Sequence, residues 1–166
     1  GQEEHPDDYQ ILIDRFIKSL NISKDDGLLL VGHGGLGSGN SSYGNLQFKL
    51  IRDGLTNVRI AVLENAPYVA DVAMPWEWLD GKRPNTIYVH PLLLVLGDHA
   101  QNDLFGDEED SIINELADYG FEVKPIHSAL GEYEAIQDIF RQHVQDCIDD
   151  LYGKRSPHRP TIPNIK

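Results

Sequence analysis

The chain has 166 residues, of which 40% are hydrophobic and 25% are charged, values typical of a single globular domain with an ordinary core. Its formal net charge is −13. The segment after Leu151 has four basic residues and no acidic ones, so the rest of the chain carries about −17. This acidic balance argues against nucleic-acid binding, which requires a basic surface. Cys147 is the only cysteine, which excludes an internal disulfide and a cysteine metal cluster, and we expect its thiol to be buried in the core.

Apolar runs and turn residues predict an opening helix followed by four strand–helix units. Pro6, Asp7 and Asp8 favour the first turn of a helix, so the chain is predicted to become helical there. The predicted helices cover residues 7–20, 43–52, 68–79, 107–119 and 133–151. The predicted strands cover residues 27–31, 58–63, 87–96 and 121–126.

Regular alternation of these elements predicts an α/β fold, a four-stranded parallel sheet with helices on both faces. We expect one domain over residues 1–152 and an extended or disordered tail over 153–166, which has three prolines and no periodicity. Pro125 suggests the end of a strand or a sheet edge. The acidic cluster 107–110 is predicted to start a helix, where negative charge complements the helix dipole. Trp76 and Trp78 are expected to pack in the core. The last helix is expected to bury Ile136, Ile139, Phe140, Val144, Cys147 and Ile148.

Polar side chains follow three of the predicted strands. His33 comes after the first strand, Glu64 after the second, and Asp98 and His99 after the central one. Open α/β sheets bind ligands at the carboxyl edge of the strands, so we expect these side chains to share that edge. Two imidazoles and a carboxylate suit a divalent first-row metal such as Co, Fe, Ni or Zn, while structural hydrogen bonding is the alternative role for such histidines. Asp98 and Asp103 are candidates to orient a ring nitrogen.

Residues 32–42 are rich in glycine and serine directly after a strand. This composition predicts a backbone that turns sharply around His33 or approaches a ligand closely, with a flexible surface loop as the alternative. The segment lacks the terminal lysine and hydroxyl of a P-loop and the glycine spacing of a dinucleotide-binding fingerprint. A phosphate-cradling loop is therefore excluded here.

Four segments of the chain resemble one known family. They are VGHG after the first strand, LENAP after the second, GDHAQNDLFGDEEDS after the central strand and LGEYEAIQDIF near the end. Over about residues 7–150 the chain resembles the anaerobic sirohydrochlorin cobaltochelatases, class II chelatases that share their fold with ferrochelatase. Members of this family usually have two similar α/β lobes around a tetrapyrrole cleft, and the present chain resembles the second lobe. The resemblance implies a chelatase-like (flavodoxin-like) lobe with metal ligands at His33, Glu64 and His99.

By this resemblance the chain is a lyase that inserts a divalent metal into a tetrapyrrole such as sirohydrochlorin. Co²⁺ is the expected metal, with Fe, Ni or Zn as alternatives. His33 and His99 would hold the metal and accept protons, and Glu64 would act as a ligand and proton relay. Because only one lobe is recognisable, we expect a homodimer or association with a missing N-terminal lobe.

Further candidates are weaker. The carboxylate arms of such a substrate need basic residues to bind them, and each basic residue named next has the alternative role of an ordinary solvated surface charge. The nearest cations by sequence are Lys49, Arg52, Lys82 and Arg83. His90 precedes a proline within a strand and is predicted to be a packed structural residue. His127 follows the last strand and is a further candidate for the cleft.

Two other functional classes stay open at this stage. One is a binding protein of chelatase fold that holds haem, a tetrapyrrole or a metal for uptake or storage. The other is a structural or regulatory α/β domain whose histidines only form hydrogen bonds. No apolar run is long enough to span a membrane, and no signal peptide is evident. We therefore expect a cytoplasmic protein. A periplasmic protein or a surface lipoprotein is the alternative if a signal was removed before Gly1.

Overall fold

The structure, a computed structural model, describes residues 7–73 and 83–153. The strands are β1 (Gly27–Gly34), β2 (Val58–Glu64), β3 (Thr86–Pro91) and β4 (Glu122–Pro125). The helices are α1 (Asp8–Ile11), α2 (Ser41–Arg52), α3 (Val69–Ala73), α4 (Asp98–Phe105), α5 (Ile112–Asp118) and α6 (Glu134–Leu151). The helical path of α1 continues through a π-helical turn, Leu12–Ile17, and a 3₁₀ turn, Lys18–Leu20. Further 3₁₀ turns are Gly37–Asn40 and Leu130–Glu132.

The four strands form one parallel sheet in the order β2-β1-β3-β4. β1 and β2 are in register from Leu28 opposite Val58 to Gly34 opposite Glu64. β4 lies at an edge and ends at Pro125, which has no N–H to donate to a further ladder. The predicted parallel sheet and the predicted role of Pro125 are both confirmed.

Successive residues of β1 point to opposite faces of the sheet, and each face carries its own core. Leu28 and Leu30 pack with the opening helical segment, α2 and α6, whereas Leu29 and Val31 pack with α3, α4 and α5. Because apolar residues alternate into two separate cores, the sheet needs helices on both faces, as predicted.

The central strand is shorter than its apolar sequence predicts. β3 ends at Pro91, and residues 92–97 form a loop although Leu92–Leu96 is wholly apolar. The carbonyl oxygens of Leu93 and Leu94 accept hydrogen bonds from Leu130 and Gly131, at 2.8 and 3.0 Å. The Leu92 N–H still donates to the carbonyl oxygen of Val31 in β1, at 2.7 Å, but the next two carbonyls are satisfied by the turn after β4, so the run does not extend the strand.

Helix boundaries after β3 also differ from the prediction. α4, Asp98–Phe105, was not predicted, and it places His99 in the first turn of a helix and not at a strand end. α5 begins only at Ile112, so the acidic cluster 107–110 lies before the helix and outside its first turn. Gly97 has an extended backbone and leads directly into α4. The sequence predicts a strand up to residue 96, directly before this glycine, whereas the strand ends at Pro91 and the glycine precedes a helix.

The predicted last helix is confirmed as α6, but its predicted burial is largely wrong. Ala135 and Ile136 are buried near its start and Ile139 is partly buried. Four residues that we predicted to be buried are exposed, namely Phe140, Val144, Cys147 and Ile148. Apolar residues occupy two faces of this helix, and only one face can point to the sheet.

Several predictions fall on residues that the structure does not describe. Trp76, Trp78 and Lys82 lie outside the described ranges, as does the predicted tail beyond Gly153. Across the helices that are described, none combines the length and the apolar character needed to cross a bilayer.

Candidate functional site

His33 lies at the end of β1 between two glycines that the local packing requires. A Cβ on Gly32 would lie 2.4 Å from the ring of Tyr43. Gly34 has a left-handed backbone, with φ +81°, and a Cβ there would lie 1.9 Å from the carbonyl oxygen of Glu64. The absence of side chains on both sides lets Tyr43 pack against the turn and lets β1 approach β2 closely. The GHG motif thus presents His33 at the tip of the strand.

His33 and Glu64 lie at the ends of adjacent strands, as the sequence predicts. Gly34 pairs with Glu64 in the ladder, and the side chains of His33 and Glu64 are both exposed. The Nδ1 atom of His33 is 3.3 Å from the carbonyl oxygen of Gly34. A carbonyl only accepts, so this contact is a hydrogen bond only in the tautomer with the proton on Nδ1, which would leave Nε2 to bind a metal ion. An imidazole and a carboxylate therefore lie at neighbouring strand ends on the same edge of the sheet.

Two asparagines join the loops that follow β1 and β2. Asn40 donates from Nδ2 to the carbonyl oxygen of Ala66 at 3.0 Å, and Asn65 donates from Nδ2 to that of Gly35 at 3.1 Å. Asn65 has a left-handed backbone, with φ 67°, which asparagine tolerates better than most residues. Sequence reasoning missed this role, although an asparagine directly after a strand end was the available signal. The two bonds fix the glycine-rich loop beside Glu64.

His99 lies on a different element from His33 and Glu64, a helix and not a strand end. It is exposed in the first turn of α4, eight residues after the end of β3. Among residues 7–73 and 83–153, no three His, Cys, Asp or Glu side chains are grouped closely enough to hold one metal ion. Asp98 and Asp103 are exposed on the same helix, and Asp103 lies one turn after His99. The complete set of three ligands therefore stays a prediction.

An acidic cleft of about 460 Å³ adjoins these elements. Its walls include Leu63, directly before Glu64, and Asp103 on α4. The full lining is Val62, Leu63, Tyr68, Val69, Asn102, Asp103, Glu108, Asp110, Ile112 and Glu115. Burial raises the pKa of the Glu115 carboxyl above its ordinary value. Four carboxyl groups in one concave surface produce a negative potential that attracts cations and repels anionic groups.

Large apolar side chains are exposed at the same edge of the sheet. Leu36, in the loop after β1, is 90% exposed, and Val95, in the loop after β3, is 75% exposed. Leu94 is also exposed. β1 and β3 are adjacent in the sheet, so both loops lie beside the strand end that carries His33. Exposed apolar side chains around polar groups are typical of a surface that binds an apolar ligand.

The basic residues proposed from sequence proximity lie elsewhere. Lys49 forms an ion pair with Asp7 at 2.7 Å, and Arg52 forms one with the residue that follows it at 2.9 Å. Arg83 lies over the ring of Phe121, 4.3 Å from its centroid. Lys49 and Arg52 belong to the end of α2 that leads into β2, and Arg83 precedes β3, so these three cations lie toward the amino ends of the strands. Proximity in sequence did not predict proximity to the site, because α2 runs back along the sheet toward the amino ends of the strands.

The two remaining candidate histidines have different environments. His90 is fully buried, its Nδ1 donates to the carbonyl oxygen of Pro91 at 2.7 Å, and its Nε2 lies 2.9 Å from the hydroxyl of Tyr133. Burial lowers the pKa of His90 below its ordinary value, and the predicted structural role is confirmed. His127 is exposed after β4, and its ring lies 4.5 Å from that of Phe105. His127 therefore remains on the carboxyl side of the sheet, as predicted.

Comparison with known proteins identifies related sequences. A family model described as cobalt chelatase (CbiK) matches residues 1–149. A sirohydrochlorin cobaltochelatase of Salmonella typhimurium strain LT2 is 26% identical over 129 residues, which cover 78% of this chain and 47% of that protein. The sirohydrochlorin cobaltochelatase CbiKC of Nitratidesulfovibrio vulgaris strain Hildenborough is 28% identical over 127 residues, which cover 76% of this chain and 44% of that protein. The chain thus spans about half the length of the curated relatives it matches.

A solved structure shares the fold. It is described as a cobalamin (vitamin B12) biosynthesis CbiX protein from Marinobacter aquaeolei VT8. The match has a TM-score of 0.58 and 17% sequence identity, and it covers 76% of this chain and 98% of the solved one. At this identity the comparison supports the arrangement of the sheet and its helices, and nothing about the site.

Proposed function

The chain belongs to the cobalt chelatase (CbiK) family, and from that premise we propose that it inserts Co²⁺ into a tetrapyrrole of the sirohydrochlorin type. The observation that carries this proposal is the match of the family model over residues 1–149, which includes every segment of the predicted site. Two relatives named as sirohydrochlorin cobaltochelatases support the choice of metal and substrate.

We assign the metal substrate to His33, Glu64 and His99. The adjacent strand ends that carry His33 and Glu64 support two of these ligands, and His99 would complete the set from the first turn of α4. Imidazole and carboxylate ligands suit first-row divalent metals, and the order of their affinities does not single out cobalt. The acidic cleft beside Leu63 and Asp103 favours a cation at this edge.

The reaction exchanges two protons for one metal ion. Two pyrrole N–H bonds break, metal–nitrogen bonds form, and the two protons must pass to acceptors. His33 and His99 suit this task because an imidazole gains or loses a proton near neutral pH, and the Glu64 carboxylate can pass protons to solvent. The protein contributes position: it holds the metal ion against the macrocycle so that the exchange becomes a step within one complex.

We place one face of the macrocycle against Leu36 and Val95. Both side chains are mostly exposed on loops that flank the end of β1. A tetrapyrrole ring is a wide apolar surface with acidic arms, so contact with these residues would remove apolar area from water on both sides. The negative cleft would keep the acidic arms away from the metal ligands.

The test measures cobalt insertion into sirohydrochlorin by absorbance, without oxygen, with the full chain and three variants. His33→Ala, His99→Ala and Glu64→Gln should each lower kcat/KM by at least about 100-fold, because each removes a metal ligand and a proton acceptor. His143→Ala is the matched control, since His143 is an exposed histidine on α6 that pairs with Asp8 at 3.0 Å.

The unfolding midpoint decides how a loss of activity is interpreted. His33, Glu64 and His99 are exposed, so each substitution should change the free energy of unfolding by less than about 0.5 kcal/mol. Full turnover by His33→Ala and His99→Ala would refute the assignment of ligands. An equal loss of cobalt insertion in His143→Ala would show that a surface substitution far from the site also impairs the assay. The losses in the other variants would then not support the assignment of ligands.

A second candidate function is binding of a metal or a tetrapyrrole without turnover, because the exposed His33 and Glu64 at adjacent strand ends would suit binding as well as insertion. Binding of Co²⁺ or sirohydrochlorin that depends on His33 but gives no product would support this function. Absence of both binding and product would indicate a structural α/β domain.

A further inference from the structure

Asn65 links the loop after β2 to the loop after β1, beyond the last pair of residues in the ladder between these strands. Gly34 and Glu64 form that last pair. One residue further along, the side-chain Nδ2 of Asn65 donates to the carbonyl oxygen of Gly35 at 3.1 Å. A side-chain amide therefore continues, for one more step, the cross-connection that backbone hydrogen bonds make within the sheet. The link joins the residue after Glu64 to the second residue after His33.

The backbone around Asn65 is itself held in place. The Val62 N–H donates to the carbonyl oxygen of Pro67 at 2.9 Å, which closes the turn that contains Asn65. Within this turn Asn65 has a left-handed backbone, with φ 67°, a conformation that asparagine adopts at lower cost than most residues do. From the other loop, the Nδ2 of Asn40 donates to the carbonyl oxygen of Ala66 at 3.0 Å. Asn65 thus projects its amide from a turn of fixed shape.

The link contributes little to the stability of the fold. Asn65 is exposed, and its bond to Gly35 lies at the surface. An exposed hydrogen bond adds little to folding, because in the unfolded chain water bonds to the same groups. The two apolar cores lie on the faces of the sheet and do not include this residue. A role in the geometry of the two loops therefore explains the link better than a role in folding does.

We propose that Asn65 is a positioning residue for metal ligation: it fixes the loop that follows His33 relative to the turn that carries Glu64. The inference rests on the proposed function, in which both of those side chains bind the metal substrate. Ligands on two loops bind one ion well if the loops are already ordered, since a mobile loop must be ordered when the ion binds. Removing a group that orients metal ligands typically costs about 10- to 100-fold in metal affinity. We expect the lower end of that range, because Asn65 holds the loop backbone and not the imidazole itself.

Asn21 provides a matched control for Asn65. Both are exposed asparagines with a left-handed backbone, φ 52° at Asn21 and 67° at Asn65. Asn21 lies between the opening helical segment and β1, toward the amino ends of the strands and away from the site. Glycine adopts such a backbone without strain, so Asn21→Gly and Asn65→Gly each remove a side chain and keep the turn. The freedom that glycine adds to the unfolded chain is the same in both variants.

The first measurement needs no metal ion. ¹⁵N relaxation of the full chain gives an order parameter for each backbone amide in the loop after β1. In the unmodified chain Gly35 and Leu36 should have values near about 0.85, as ordered backbone does, and Asn65→Gly should lower them below about 0.6. Asn21→Gly should leave both values unchanged. Equal values in the unmodified chain and in Asn65→Gly would overturn the inference, whether or not the chain binds cobalt.

The second measurement titrates each protein with Co²⁺ alone and follows the visible absorption of the bound ion. Asn65→Gly should raise the dissociation constant about tenfold, whereas Asn21→Gly should change it less than about twofold. The melting temperatures of the two variants should agree within about 3 °C. A melting temperature that falls by more than about 6 °C in Asn65→Gly alone would overturn the inference, because Asn65 would then act on the fold.

His33→Ala separates a failure of this inference from a failure of the proposed function. If His33→Ala loses Co²⁺ binding and Asn65→Gly binds as tightly as the unmodified chain, the ligand assignment stands and only the positioning role is overturned. If the unmodified chain and His33→Ala bind Co²⁺ equally, the ligand assignment fails, and the positioning role fails with it.

Discussion

A buried hydrogen bond between His90 and Tyr133 offers a sharp test of the packing between β3 and α6. The Nδ1–H group of His90 donates to the carbonyl oxygen of Pro91, so its Nε2 must accept from the hydroxyl of Tyr133, at 2.9 Å. The ring of Phe16 packs against both, 5.1 Å from His90 and 4.6 Å from Tyr133 between centroids. Tyr133→Phe removes only the hydroxyl and leaves a buried acceptor without its donor.

The expected loss follows from that geometry. An unsatisfied buried polar group costs about 1–3 kcal/mol, so Tyr133→Phe should lower the free energy of unfolding by about 2 kcal/mol. For a chain of this size the melting temperature should fall by about 4–8 °C. Urea unfolding measures the change, and the denaturant slope m should stay constant. Tyr68→Phe is the control: Tyr68 is more than half exposed, so the loss there should be below about 0.5 kcal/mol.

The pH dependence of the free energy of unfolding provides a second test of the environment of His90. Burial holds the folded-state pKa of His90 below its ordinary value of 6.5, and the Pro91 carbonyl opposes this only in part. Below pH 6.5 the unfolded chain binds more protons at this residue than the folded chain does, so its contribution to stability falls as the pH falls. Above pH 6.5 the contribution is complete. His90→Leu should remove this part of the profile.

A double-mutant cycle would refute the reasoning most directly. If His90→Leu and Tyr133→Phe add without coupling, the two side chains do not share an interaction that matters for stability. An unchanged urea midpoint in Tyr133→Phe would have the same meaning.

Three further predictions concern the site edge and the core. Gly34→Ala should lower the free energy of unfolding, measured in urea, by about 2–4 kcal/mol, because its backbone is left-handed and the new Cβ would clash with the carbonyl oxygen of Glu64. Gly35→Ala is the control: a Cβ there meets nothing within 4 Å, so the free energy should change by less than about 0.5 kcal/mol, and similar losses in the two variants would contradict the described turn. Leu36→Ser should leave the urea midpoint unchanged and raise KM for sirohydrochlorin about tenfold, and an unchanged KM would remove Leu36 from the substrate surface. Leu104→Ala should lower the free energy of unfolding by about 2–5 kcal/mol by leaving a cavity beneath α4, and a loss below about 1 kcal/mol would place that side chain outside the core.

The sequence alone determined the sheet and the position of two candidate site residues. Four apolar runs separated by helical periodicity allow few arrangements other than a parallel sheet covered on both faces. His33 and Glu64 directly follow such runs, so their place at the strand ends depends on local chain geometry only. The structure adds that β1 and β2 are adjacent, with Gly34 and not His33 opposite Glu64, so the two side chains lie at neighbouring strand ends.

Only the tertiary structure decided which apolar residues meet. The run Leu92–Leu96 has the composition of a strand, yet two of its carbonyls bond to Leu130 and Gly131, which lie far along the chain. In α6, Ile136 and Val144 are both apolar, but only the face that carries Ile136 packs against the sheet, and Val144 is exposed. Hydrophobic periodicity reflects backbone geometry within one segment, so it can be recognised in the sequence. Burial depends on which distant segment packs against each face of that segment, and this packing is fixed only when the whole chain has folded.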